Sequence, residues 1–232
     1  GVSIEGVVSE PGFSTVCKTR IIAGGLHTVR QQIVRIDREP AFPPRPERII
    51  RNVARIVESG IDGLLVSDYG CGVFSPPVVR FVNNLARSGG LPIAIDSRFR
   101  LLKFRNAALA APNEEEAGIH AGRGADDIAV VERTGEKLRK KLNSRALLIT
   151  RGSEGISLFE EGRAPVHIPV FGARAAVDTT GAGDTVVTAA LLALCAGATY
   201  REAAEIANRA GGLVVMKRGA ATVSREELLG TA

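Results

Sequence analysis

Tryptophan is absent from the 232 residues, and tyrosine occurs twice. With aromatic residues at 4% of the chain, the core must be aliphatic. No basic run interleaved with aromatics offers bases a stacking surface, so nucleic acid is not an expected partner. Cysteine is scarce too: Cys17, Cys71 and Cys195 are far apart and form no C-x-x-C pair. That excludes a disulfide framework and a cysteine zinc site, and it points to a reducing, cytoplasmic setting. No apolar run reaches the roughly 18 residues of a membrane span, and no membrane partner is expected. No G-x-x-x-x-G-K-[ST] loop occurs, which excludes a Walker-type phosphate cradle. His27, His120 and His167 share no metal-ligand spacing and carry no assignment.

What is present is ordinary for a globular α/β chain: 45% hydrophobic and 24% charged residues. The net charge of +5 mildly favours anionic partners such as phosphates. Residues 15–37 read as two β segments around the Gly24–Gly25 turn, with alternation in "VRQQIVRID" predicting a half-exposed strand. "PAFPPRPE" at 40–47 is a proline-rich joint. A helix over 47–58 would put Ile49, Ile50, Val53, Ile56 and Val57 on one face. Strands are then expected at 63–68, 92–96, 107–112 and 146–150, alternating with helices at 76–89, from 113 and at 126–142. "GISLFE" and "APVHIPV" form a further β pair, and long helices near 182–197 and 200–217 close the chain. Such alternation means a largely parallel sheet covered on both faces, with ligands beyond the carboxyl ends of its strands. The chain thus divides into a β-strand segment at 1–40 and an α/β core at 41–232.

The stretch "VDTTGAGDTVVTAALLALCAGAT" (177–199) puts a lone acid, Asp184, at the mouth of a glycine turn that opens an apolar helix. Gly181, Ala182 and Gly183 leave room for a phosphate against backbone N–H groups that the helix does not use. A carboxylate beside that anion can take the proton of an attacking hydroxyl. An ordinary helix start with an acidic first turn has the same residues, and the turn alone does not decide between the two.

The longer string "DTTGAGDT" closely resembles the C-terminal signature of the PfkB, or ribokinase-like, carbohydrate kinases. "PNEEE" (112–116) is similar to the family's N-x-x-E motif, and "ITRGSEGISLF" (149–159) to its nucleotide-side strand–turn–strand. "ANRAGGLVVMKRGAATV" (207–223) is similar to its adenine-side helix and closing loop. Within the family, "KTRIIAG", "RQQIVRIDRE" and "SDYGCG" resemble the heptose-phosphate kinases of lipopolysaccharide precursor synthesis, although those usually carry Lys where Cys71 stands. The resemblance implies a three-layer ribokinase-like sandwich, with a remnant β lid at 1–40 and a kinase core at 41–232 whose C-terminal half binds nucleotide. It implies phosphotransfer from ATP, with Mg2+ and with K+ as a further candidate, to a sugar or a sugar phosphate such as heptose 7-phosphate.

Carried over by position, Asp184 would be the general base and Gly181, Ala182 and Gly183 the anion hole. Asn113 and Glu116 would organise Mg2+ through water; alone, they read as a helix N-terminus. Thr150, Gly152 and Gly155 would line the nucleotide phosphates, or form a plain turn. Asn208 and Gly219 would sit on the nucleotide side, although a mid-helix Asn commonly faces solvent. Asp178 and Thr180 resemble a monovalent-cation loop, with an Asx turn as the alternative. Lys18, Arg20, Arg35 and Arg98 would hold a substrate phosphate; solvated surface charge is the alternative. Cys71 and Cys195 read as core or near-core residues. The family's N-terminal Gly-Gly and Asn-Val-Ala segment has no counterpart, since Asn52–Ala54 lies in an amphipathic helix, and the chain opens at Gly1. The first strands are therefore expected to be missing. A kinase-fold module that binds nucleotide or a partner without turnover stays open as the second reading, and a homodimer through the lid strands as a candidate assembly.

Overall fold

The computed structural model describes residues 2–24, 31–40, 42–121, 128–172 and 176–230. His27 and Gly25, and the start of the 126–142 helix, lie outside them, and of His120 only the helical backbone is described. Two sheets form. Strands β1 (Cys17–Ala23) and β2 (Gln31–Arg38) make an antiparallel ribbon. A six-stranded sheet runs in chain order from β3 (Leu64–Asp68) through β4 (Ile93–Ser97), β5 (Leu109–Ala110), β6 (Ala146–Thr150) and β7 (Ile156–Glu160) to β8 (Val166–Ile168). The pairs from β3 to β6 are parallel, and β7 and β8 add antiparallel.

Helices cover both faces, and strand alternation sorts the core into two clusters. Ile93, Ile95, Leu147 and Ile149 face α2 (Pro76–Ser88), α3 (Glu114–Ala121) and α4 (Ile128–Leu142). Ala94, Ala146 and Leu148 face α5 (Ala182–Cys195) and α6 (Tyr200–Val214). This is the expected α/β sandwich with a largely parallel sheet. Helix α2 stops as predicted, at Gly89 in the left-handed region (φ 73°).

Several expectations change. Both ribbon strands are exposed along almost their whole length, because the ribbon stands off the sandwich and no described element packs on its outer face; β2 is not half-covered. Helix α1 (Pro46–Glu58) begins inside the proline-rich joint, since proline suits the first helical turn. Its five predicted apolar residues are each only half-buried. Of residues 1–40, the ribbon takes up Cys17–Ala23 and Gln31–Arg38, whereas the N-terminal stretch lies along α1. There buried Glu10 accepts Arg48 at 3.0 Å and pairs with Arg45 at 3.2 Å, and the Gly6 carbonyl accepts Asn52 at 2.7 Å. Helix α7 (Arg225–Leu229) was not expected; it opens on a capping box of Ser224 and Glu227.

Candidate active site

The site forms where the parallel strands end. Ser67 and Asp68 close β3, Asp96 and Arg98 lie at the end of β4, Asn113 follows β5 and Thr150 ends β6. Opposite these ends the chain enters α5 through Gly181, whose left-handed φ of 79° makes the abrupt turn possible. That turn places Asp184 in the first helical turn. Its Oδ1 accepts Ser67 Oγ at 3.3 Å and its Oδ2 accepts the Tyr69 hydroxyl at 2.5 Å.

Three cavities meet here. One of about 510 Å3 is lined by Thr150, Gly152, Gly155, Asn208, Gly212 and Gly183, among others. A second, of about 380 Å3, shares Asn113, Thr150, Thr179 and Gly183 with the first and adds Asp96, Glu116 and Asp184. A third, of about 870 Å3, shares Ser67, Tyr69, Arg98, Gly181 and Asp184 with the second and opens under the ribbon. Asp184 therefore stands between a cleft floored by glycines and a cleft roofed by cations.

The first cleft is shaped by small residues. Gly155 has φ 87°, and a Cβ there would fall 2.1 Å from the Ile168 carbonyl oxygen; a Cβ on Gly212 would fall 2.2 Å from that of Phe171. At Gly181 and Gly183 an added Cβ would meet nothing within 4 Å, so space for a ligand is kept open there. Of the three residues expected to form an anion hole, Ala182 and Gly183 line the first cavity and Gly181 the second, while the Ala182 N–H donates to the Thr179 carbonyl at 3.2 Å. Asn208 does not face solvent. It is buried, and its amide donates to the Pro169 carbonyl at 2.6 Å, fixing the segment that walls the first cavity.

Asn113 and Glu116 form a capping box at the start of α3: Glu116 N–H donates to Asn113 Oδ1 (2.8 Å) and Asn113 N–H to Glu116 Oε2 (3.1 Å). They cap the helix and also face the second cavity. The sequence did not single out Asp96, which faces the same cavity. Burial, and then the charges of Glu116, Asp184 and Asp68, push its carboxyl up to about 7. Asp178 accepts Thr180 N–H and Gly219 N–H, both at 2.9 Å, in the manner of an Asx turn. These bonds hold its carboxyl below the usual range. Gly219 thus ties two loops together and does not line the first cavity.

All four predicted basic residues line the third cavity: Lys18, Arg20 and Arg35 from the ribbon and Arg98 from the sheet. Arg20 and Arg35 are direct cross-strand partners. Like charges so placed repel, and an anion between them relieves that. Arg35 is already held by Asp37, at 2.8 and 2.6 Å, and the Lys18 ammonium lies 4.8 Å from the centre of the Tyr69 ring. Cys71 lines this cavity half-buried, whereas Cys195, which donates to the Asp62 carbonyl at 3.1 Å, packs half-buried against the core cluster under α5, near-core as expected. His167 bridges Ser157 (2.8 Å) and Glu132 (3.1 Å) on another part of the fold. Among the described residues no three His, Cys, Asp or Glu converge to hold a metal, and no helix is long and apolar enough to cross a membrane.

Residues 30–227 match the family described as pfkB family carbohydrate kinase. The chain is 40% identical over 234 residues to the bifunctional protein HldE of Geobacter metallireducens, an alignment that covers 100% of this chain and 46% of that relative. It therefore spans just under half the length of such a relative. Among solved structures, Arabidopsis thaliana ribokinase complexed with ribose and ATP superposes with a TM-score of 0.68 at 22% identity, covering 91% of this chain and 68% of that one. Escherichia coli phosphofructokinase-2 in complex with potassium gives a TM-score of 0.71 at 17% identity, covering 88% and 66%. These two likenesses concern the fold.

Proposed function

We propose that this chain, which belongs to the pfkB family of carbohydrate kinases, transfers a phosphoryl group from ATP to a hydroxyl of a sugar phosphate, heptose 7-phosphate in the first instance. One observation carries the reading: Asp184 separates a glycine-walled cleft from a cleft lined by four cationic side chains. ATP occupies the first, with its terminal phosphate reaching the open space over Gly181 and Gly183. The phosphorylated end of the acceptor meets Lys18, Arg20 and Arg98, with Arg35 joining on release from Asp37. Its hydroxyl is then left at Asp184, which accepts the proton as the hydroxyl attacks phosphorus. Charge on the transferring group is met by backbone N–H groups at the start of α5.

The donor set fits Mg2+, which keeps most of its water and needs only one or two carboxylates besides phosphate oxygens. Glu116 and Asp96 would supply them, with Asn113 orienting Glu116; the ion neutralises phosphate charge when bound. The loop holding Asp178 and Thr180 is the candidate for K+, tested by the dependence of turnover on KCl. The ribbon supports a homodimer: its basic positions face the cavity, so Ile21, Val34 and Ile36 project from its other face, each more than 40% exposed.

The test of the reading is ADP formation from Mg·ATP with a panel of sugar phosphates and their unphosphorylated sugars. Release that depends on the sugar phosphate, and that falls when Arg20 and Arg98 are both replaced by Gln, supports it. Saturable nucleotide binding with no acceptor-dependent release favours a binding module without turnover.

A further inference from the structure

We propose that Tyr69 is the positioning residue for the base, holding Asp184 by one oxygen so that the other meets the acceptor; this rests on the transfer reaction proposed above. The two carboxylate oxygens are held unequally. The Tyr69 hydroxyl is 2.5 Å from Oδ2, within the range of strong charge-assisted bonds, whereas Ser67 Oγ reaches Oδ1 only at 3.3 Å. Oδ1 therefore has the looser partner and the lone pair to offer a substrate hydroxyl. Tyr69 keeps its proton, because burial, the bond to Asp184 and the nearby charges of Asp184 and Asp96 all push its phenol up.

The surroundings fix Tyr69 from both ends. The preceding residue, Asp68, is buried and takes two bonds from Arg100 (3.1 and 2.8 Å), one from Ser97 (2.9 Å) and one from Gly70 N–H (3.0 Å). Gly70 turns the chain at φ 81°. On the ring side, the Lys18 ammonium of β1 sits 4.8 Å from the ring centroid. A cation at that distance is attracted to the ring face and makes the phenol a better donor. Placement of the ribbon is thus felt at the base through one aromatic ring.

The chain's composition makes the contact readable. With no tryptophan and only two tyrosines, Tyr200→Phe leaves Tyr69 as the sole emitting phenol. A phenol bonded to a carboxylate emits weakly, so emission of that variant should be low. It should rise on adding Asp184→Asn, and rise less on adding Lys18→Met. Emission unchanged by Asp184→Asn overturns the proposal. In turnover with heptose 7-phosphate, Tyr69→Phe should lower kcat about tenfold and leave KM for ATP within about twofold. Unchanged kcat for Tyr69→Phe, in a protein that Asp184→Asn silences, overturns the positioning role alone. Turnover that survives Asp184→Asn overturns the transfer reading with it.

Discussion

Gly155 and Asp96 show at single-residue scale what the site costs the fold. Gly155 combines a left-handed backbone with a carbonyl oxygen where its Cβ would be. Gly155→Ala should therefore destabilise the protein by about 2–4 kcal/mol, seen as a lower denaturation midpoint. Asp96 is a carboxyl raised from 3.8 to about 7, so the native state holds its proton to higher pH than the unfolded chain does. It follows that stability falls as pH rises from about 4 to about 7, with the full penalty above that. Asp96→Asn should raise Tm by several degrees at pH 8, on the order of 2 kcal/mol, and change it little at pH 4. Thermal scans at the two pH values check this, and equal shifts at both would contradict it. Asp184 and the glycines were legible as single residues because their spacing is local. Asp96 was not, since its character comes from Glu116, Asp184 and Asp68, which only the fold brings near.

At the scale of elements, α6 begins on a capping box in which Thr199 and Glu202 satisfy each other's backbone N–H groups. The helix also carries Asn208, which lines the first cavity and bonds the Pro169 carbonyl, well inside the helix and away from its cap. Thr199→Ala should cost about 1 kcal/mol without altering nucleotide affinity at saturating stability, checked by urea unfolding alongside calorimetry. The strand and helix order was readable from apolar rhythm and from glycine stops such as Gly89. The short α7 was missed although Ser224-x-x-Glu227 announces its start, because five residues give no apolar period. The exposed ribbon reads as a half-covered strand because alternation records two chemically different faces, not which of them is covered. Here the basic face turns to the cavity, while Ile21, Val34 and Ile36 face outward.

The whole molecule places a cationic roof, an acid and a glycine-walled cleft in line, from segments that are far apart in the chain. The Tyr69–Asp184 contact joins positions 115 residues apart, and no local pattern could announce it. The outward apolar face of the ribbon predicts self-association. Sedimentation should show a dimer that Ile21→Asp with Ile36→Asp converts to monomer with its fold kept; a parent that is already monomeric across the micromolar range would contradict this. The central claim is that Asp184 is the base lying between donor and acceptor. The measurement that tests it most directly is turnover of Asp184→Asn with Mg·ATP and heptose 7-phosphate, alongside calorimetric binding of an ATP analogue. A loss of at least about 10²-fold in kcat with nucleotide affinity unchanged is the predicted result, and near-normal turnover would contradict the account.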